Sequence, residues 1–231
     1  MNIEQIKQSL ARPAVTLITG NVAPTTTEEQ SWLGKVTLFK ADEGIPVTDD
    51  GEPLLPFAQF HLPSLGVDHP LLKGVRLITV FIADPLPDAC EQMGSNWVIR
   101  EYSAADELVH KELEVAASYL IALPLRPERV EADFPMWDGG GMPDAIQRAI
   151  LALEDSGELD SYYDISTHAY EHKFGGYPSF CQSGIDPGEG FEFVFQISSD
   201  TDINLNVVDC GSLIFWKHRV SGEWMLYYDF H

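Results

Sequence analysis

Twice in this chain a glutamine interrupts a strand-like apolar run, and each time similar punctuation surrounds it. The first run is Leu54-Leu55-Pro56-Phe57-Ala58-Gln59-Phe60-His61, followed by Gly74 and the apolar stretch Val75 to Ile82. The second is Phe191-Glu192-Phe193-Val194-Phe195-Gln196-Ile197-Ser198, followed by Gly211 and Ser212 to His218. A glycine turn precedes each: Trp32-Leu33-Gly34-Lys35-Val36 and Lys173-Phe174-Gly175-Gly176-Tyr177-Pro178. Markers in one order at nearly one spacing predict a duplicated supersecondary unit, spanning about 31–82 and 172–218 of a single domain over 1–231. A buried amide must find partners for two N–H donors and one carbonyl oxygen. Each glutamine is therefore expected to tie down its own glycine turn or, as the functional reading, to line a ligand pocket. In the second run Phe193, Phe195 and Ile197 are expected to share one face, with Val194 and Gln196 on the other.

The rest of the chain reads as α+β, mainly antiparallel sheet with a few helices. Asn2 caps a short helix to Leu10, and Val15 to Thr19 is a β-branched strand closed by a turn at Gly20-Asn21. Strands are expected at Lys35 to Lys40, Asn96 to Tyr102 and Tyr119 to Leu125, and a helix with a partial apolar stripe over Ser103 to Val115. Pro143 to Leu153 is the clearest helix, with Ile146, Ala149, Ile150 and Leu153 on one face and Gly157 stopping it. Trp216 to Tyr228, turning at Ser221-Gly222-Glu223, is a hairpin.

Composition narrows the function classes. The 231 residues are 45% hydrophobic and carry a formal charge of −22, spread along the chain. Such a surface repels phosphate backbones and anionic membranes, which argues against both as partners; it reads as a solubility device or, as the sharper reading, as an acidic face for a basic protein partner. No apolar run reaches the roughly 18 residues of a membrane span, and Met1 to Gln5 lacks signal-peptide character, so a cytoplasmic location is expected. Cys90, Cys181 and Cys210 are an odd set without a C-x-x-C pair, read as reduced core or near-core thiols, with a single disulfide or a nucleophilic thiol as the alternative.

No nucleophile elbow, nucleotide fingerprint or carboxylate pair is present. His168 and His172 stand four apart, but Gly175-Gly176 cuts short any helix that could present them to zinc, so they read as surface or loop histidines. Asp200, Asp202 and Asp209 lack a calcium-loop series. Gly175-Gly176-Tyr177-Pro178 lacks the lysine of a phosphate cradle and reads as a structural turn. Candidate binding residues are Gln59, Gln196, Trp137, Asp138 and Tyr177; Trp137-Asp138 opens the loop Gly139-Gly140-Gly141, which triple glycine leaves free to adapt as a binding loop and which reads equally as a connector with a core tryptophan. No catalytic or metal-binding residue is assigned.

His172 to Pro178, Phe193 to Asp200 and Asp209 to Trp216, with Leu125-Arg126-Pro127 through Asp133-Phe134-Pro135, resemble the bacterial YwqG-like family. The first unit from Ser31 fits as well, although Leu33-Gly34-Lys35-Val36 departs from the family's double glycine. The resemblance implies a domain of unknown function, α+β and mainly antiparallel, with no catalytic residues or cofactor to carry over. The leading expectation is a non-enzymatic protein-binding module, for example an immunity or accessory protein. The alternative is a small-molecule binder or an enzyme of unfamiliar type, with a pocket between the repeats near Gln59, Gln196 and Gly139 to Gly141.

Overall fold

The computed structural model describes residues 1–20, 22–25 and 27–230. Asn21 of the expected turn and Thr26 of the following polar loop lie outside the described residues. In chain order the strands are β1 (Arg12–Ile18), β2 (Trp32–Leu33), β3 (Leu38–Phe39), β4 (Leu55–His61), β5 (Val75–Ile82), β6 (Trp97–Ser103), β7 (Val109–His110), β8 (Leu123–Pro124), β9 (Arg126–Asp133), β10 (His172–Gly175), β11 (Phe191–Ser198), β12 (Ser212–His218) and β13 (Trp224–Asp229). The helices are α1 (Ile3–Leu10), α2 (Leu62–Leu65) and α3 (Asp144–Ser156).

The strands form two main antiparallel sheets, ordered β13-β12-β11-β10-β1-β9 and β6-β5-β4-β2-β8, and a small β3-β7 pair. Phe60, Val80 and Trp97 of one sheet meet Phe174, Phe195 and Phe215 of the other in one buried core. Within it, Phe60 packs edge-on to Phe174 at 5.1 Å and Phe195 stacks on Phe215 at 4.3 Å. Burying such a side chain is worth about 1.5–3 kcal/mol, so this interface dominates the fold. A second core joins Ile6 and Leu10 of α1 to Ile146 and Ile150 of α3. Asn2 and Gln5 close a capping box at the start of α1, and Gly157 ends α3 at φ 74°, a conformation that glycine adopts without strain.

The glutamine strands have closely matching registers. Trp32 faces Gln59 across β2–β4, and Lys173 faces Gln196 across β10–β11. The β4–β5 register shifts between Pro56 and Ala58 and the β11–β12 register between Phe193 and Phe195, so a bulge precedes each glutamine by the same distance. Past the bulge, Gln59 faces Thr79 and Gln196 faces Ile214. Gly74 lies five positions before Thr79 whereas Gly211 lies three before Ile214, so these two glycines are not equivalent. The second bulge also separates residues expected on one face. Phe195 and Ile197 enter the inter-sheet core, while Phe193 joins Phe180, Ile214 and Trp216 in another cluster. The flanking strands are exchanged: β1, ahead of the first glutamine unit, pairs with β10, and β8, ahead of the second, pairs with β2.

Other expectations need correction. The strand over Lys35 to Lys40 contracts to Leu38–Phe39, because the Thr37 and Leu38 N–H groups donate to Gln59 instead of a ladder. No helix forms over Ser103 to Val115. The Ser103 backbone N–H and hydroxyl both donate to the Asp106 carboxylate, and Val109–His110 pairs with β3. Of Tyr119 to Leu125 only Leu123–Pro124 is strand. Cys90 and Cys210 are exposed rather than core, and all three cysteines are free thiols.

Candidate functional site

The two glutamines act as backbone staples. Gln59 Oε1 accepts from the Thr37 and Leu38 N–H groups at 2.9 and 3.0 Å, and its Nε2 donates to the Gln30 carbonyl at 3.0 Å. Gln196 Oε1 accepts from the Ser179 N–H at 2.9 Å, and its Nε2 donates to the Glu171 carbonyl at 3.0 Å and to Ser179 Oγ at 2.9 Å. Each is 1% exposed. The amide therefore fixes the loop that follows its own glycine turn.

Beside Gln196 a buried polar network carries the second turn. Asp133 and Lys173 are both 0% exposed, with Lys173 Nζ 2.9 Å from Asp133 Oδ2. That same oxygen accepts the Tyr177 N–H at 2.9 Å, and Asp133 Oδ1 accepts the Ala169 N–H. Lys173 also donates to the Ala169 carbonyl. Burial pushes the Lys173 ammonium below its ordinary pKa, and Asp133 opposes the shift. Gly176, at φ 69°, lets the turn lie on this carboxylate: a Cβ there would come within 2.2 Å of Asp133 Oδ2.

The histidines belong to this interior, not to a surface loop. His168 Nδ1 lies 2.7 Å from the Phe134 carbonyl, which only accepts, so Nδ1 carries the proton and Nε2 accepts from Ser179 Oγ at 2.7 Å. The His168 side chain is 7% exposed, and burial lowers its pKa. His172 Nδ1 accepts the Ser198 N–H, which leaves Nε2 to donate to Asp200 Oδ2 at 3.0 Å. Ser179 and His168 stand at the distance of a hydrolase nucleophile and its base. Neither lines the cavities described next, and Ser179 Oγ is committed to Gln196, so the pair serves the interior.

Those cavities lie at the seam between the two units. One, of about 500 Å³, is walled by Pro63 to His69 on one side and by Val15, Arg129 and Phe174 on the other. The second, of about 630 Å³, runs between Gly139 to Gly141 and the aromatic residues Tyr177, Phe180, Phe193 and Trp216. Both are lined by Pro13, Asp68, His69 and Gly175, so they adjoin along the seam as two parts of one groove. His69 holds the near wall to the sheet. Its Nε2 donates to the Phe193 carbonyl at 3.0 Å, and its Nδ1 accepts the Leu71 N–H at 3.2 Å. Opposite, Gly184 clamps the glycine loop: its N–H donates to the Asp138 carbonyl at 2.7 Å, and a Cβ there would sit 2.2 Å from the Gly139 carbonyl oxygen.

Of the sequence candidates, Tyr177 lines the groove, with its hydroxyl donating to the Leu10 carbonyl at 2.7 Å. Trp137 instead packs on Tyr162 in the helical core at 5.5 Å between centroids. Asp138 contributes its backbone carbonyl to the loop clamp. Gln59 and Gln196 are not among the described residues that line either cavity. Sequence reasoning missed Arg12, Asp68, His69 and Glu192, which sit on strands and turns that only long-range packing brings together.

Among the described residues no cluster of metal-ligating side chains is present, and no helix is long and apolar enough to cross a membrane. No curated protein matches the chain. The profile of one family does match, over residues 31–220, a span that takes in both glutamine units and every wall of the groove except its β1 edge. By that match the chain belongs to the family defined by a domain of unknown function, DUF1963.

Proposed function

We propose that the protein is a cytoplasmic, non-enzymatic binding module that takes an extended basic segment of a partner protein into the seam groove. The observation that carries this reading is that the two cavities adjoin, sharing Pro13, Asp68, His69 and Gly175 as lining. Each cavity falls within the roughly 300–1,000 Å³ of a small-ligand site, and together they make a trough that a chain segment fills better than a compact molecule. Aromatic and proline side chains supply the apolar floor, and the exposed Asp68 and Glu192 supply acidic edges. The charge of −22 would speed encounter with a cationic partner and disfavour nucleic acid or an anionic membrane. An immunity or accessory protein fits this description.

Charge reversal tests it. Lys/Arg-rich peptides should bind at low salt, as read by fluorescence anisotropy, more tightly than matched acidic peptides. Asp68→Arg with Glu192→Arg should weaken that binding without lowering the melting temperature, since both residues are exposed. Equal binding of basic and acidic peptides, or indifference to the double reversal, overturns the reading. The alternative, a small-molecule binder or an enzyme of unfamiliar type, uses the same groove and is favoured by the size of each cavity alone. A metabolite panel that stabilises the protein where peptides do not would select it.

We also infer that the two glutamine units arose by duplication and face each other about a pseudo-two-fold axis. Support comes from the paired registers, the bulge at the same place before each glutamine, the matching staples and the exchange of β1 and β8. The equivalent N–H donors are Leu38 and Ser179, and the equivalent carbonyls are Gln30 and Glu171. An experimental structure in which 31–82 and 172–218 superpose with Gln59 and Gln196 on non-equivalent strands would refute it. Within its family the chain is assigned here to the YwqG-like group, on the motif from His172 to Pro178 and its companions.

A further inference from the structure

Arg12 is out of place in a groove meant for a basic segment. It stands exposed at the start of β1 and lines the larger cavity. In a chain with 36 acidic residues it makes no ion pair with any described residue. Its guanidinium lies 4.2 Å from the centroid of the Tyr177 ring.

That ring is itself fixed. The Tyr177 N–H donates to Asp133, its hydroxyl donates to Leu10, and Gly141 packs so close that an added Cβ would lie 3.4 Å from the ring. A guanidinium held over an aromatic face by this contact keeps N–H groups free for an acceptor. On the same wall, the backbone N–H groups of Gly140 and Gly141 donate to no described residue. Arg12 and these two glycines thus line one cavity with donors that no described residue takes up. The acids that line it, Asp68 and Glu192, come from other segments.

We propose that Arg12 makes this wall a subsite for the C-terminal carboxylate of the bound segment. The proposal rests on the peptide-binding reading above and resolves its tension. A free dianion such as phosphate is repelled by a charge of −22, whereas a carboxylate borne on a cationic peptide is carried in by the peptide's own charges. A basic segment has few acidic side chains, but a chain end always offers one carboxylate. Its two oxygens suit the bidentate fork of arginine together with backbone N–H groups.

The experiment compares matched pools of Lys/Arg-rich peptides, fluorescein-labelled at the N-terminus. One pool has a free C-terminal carboxylate, one is amidated, and one is amidated with an internal Asp. Anisotropy at low salt should show the free-acid pool binding tighter than the amidated pool by about tenfold to a hundredfold, the range expected of a charge-assisted bond to a fixed donor. Arg12→Gln should erase that difference and leave the amidated pool unchanged or slightly tighter, while Arg12→Lys keeps part of it. Melting curves verify that these substitutions at an exposed position leave the fold intact. Equal binding of free-acid and amidated pools overturns the subsite and leaves the groove reading standing. Free-acid strength in the internal-Asp pool would show that a side chain is read, and also overturns it. Binding of none of the pools overturns both.

Discussion

Gln59 and Gln196 are buried to the same degree and hold the same kind of partner, the backbone just past a glycine turn. Replacing either with Leu leaves N–H donors in a dry interior: Thr37 and Leu38 for the first, Ser179 for the second. Each change should therefore cost roughly 1–3 kcal/mol, measured by urea denaturation. A cost near zero at both sites would mean that water replaces the amide. Asp200 carries a different prediction. Its hydrogen bond from His172 is the largest cause that holds its carboxyl down to about 2, with Thr19 Oγ1 also donating at 2.6 Å. A carboxyl depressed on folding contributes stability above its unfolded range, near 3.8, and that contribution disappears as pH falls through about 2. His172→Phe should therefore move the acid-unfolding midpoint to higher pH, read by circular dichroism, and an unchanged acid limb would remove Asp200 from the account. The glutamine staples were legible in the sequence because a polar residue inside an apolar run is conspicuous. The buried Asp133–Lys173 pair was not, since its members lie on strands forty residues apart.

At the scale of elements, legibility followed locality. α1 and α3 were readable because a cap, an apolar stripe and a stop signal all lie within the helix itself. Ser103 to Val115 misled because Ser103 with Asp106 looks like a cap, whereas the carboxylate here closes a local turn and also meets Lys40 at 2.8 Å. β9 escaped notice because Arg126-Pro127-Glu128-Arg129-Val130-Glu131 has charges on both faces; it is strand because β1 offers it an edge. The groove was half legible. Its glycine loop and Tyr177 announce themselves, but the wall from Pro63 to His69 is placed by a histidine bond to Phe193 that no local pattern encodes. The two loops of the far wall should behave as one element. Gly184→Val forces its side chain into the Gly139 carbonyl and removes the clamp. Amide exchange over Asp138 to Met142 should then quicken while the strands stay protected. Unchanged exchange in that loop would show that the clamp is dispensable.

The whole molecule joins two sheets that carry most of the apolar burial and a surface that carries a large excess of one charge. Polar ties between the sheets are few but sheltered. Lys217 of β12 meets Glu101 of β6 at 2.5 Å, and the Trp224 indole N–H donates to the same oxygen at 2.6 Å. Exposed pairs such as Arg129–Glu131 contribute at most about 1 kcal/mol each, and added salt weakens them. Salt also screens the mutual repulsion, spread along the chain, among 36 acids offset by only 14 bases. The second effect should win, because the repulsive pairs greatly outnumber the exposed attractive ones. The melting temperature at pH 7 is therefore expected to rise as sodium chloride is increased from a low-salt buffer. The same salt should weaken the binding of basic peptides in the groove, since screening removes their attraction to the field. A melting temperature that falls with salt would show that attractive ion pairs outweigh the net repulsion of the surface. Peptide binding that ignores salt would mean that the field of −22 plays no part in recognition.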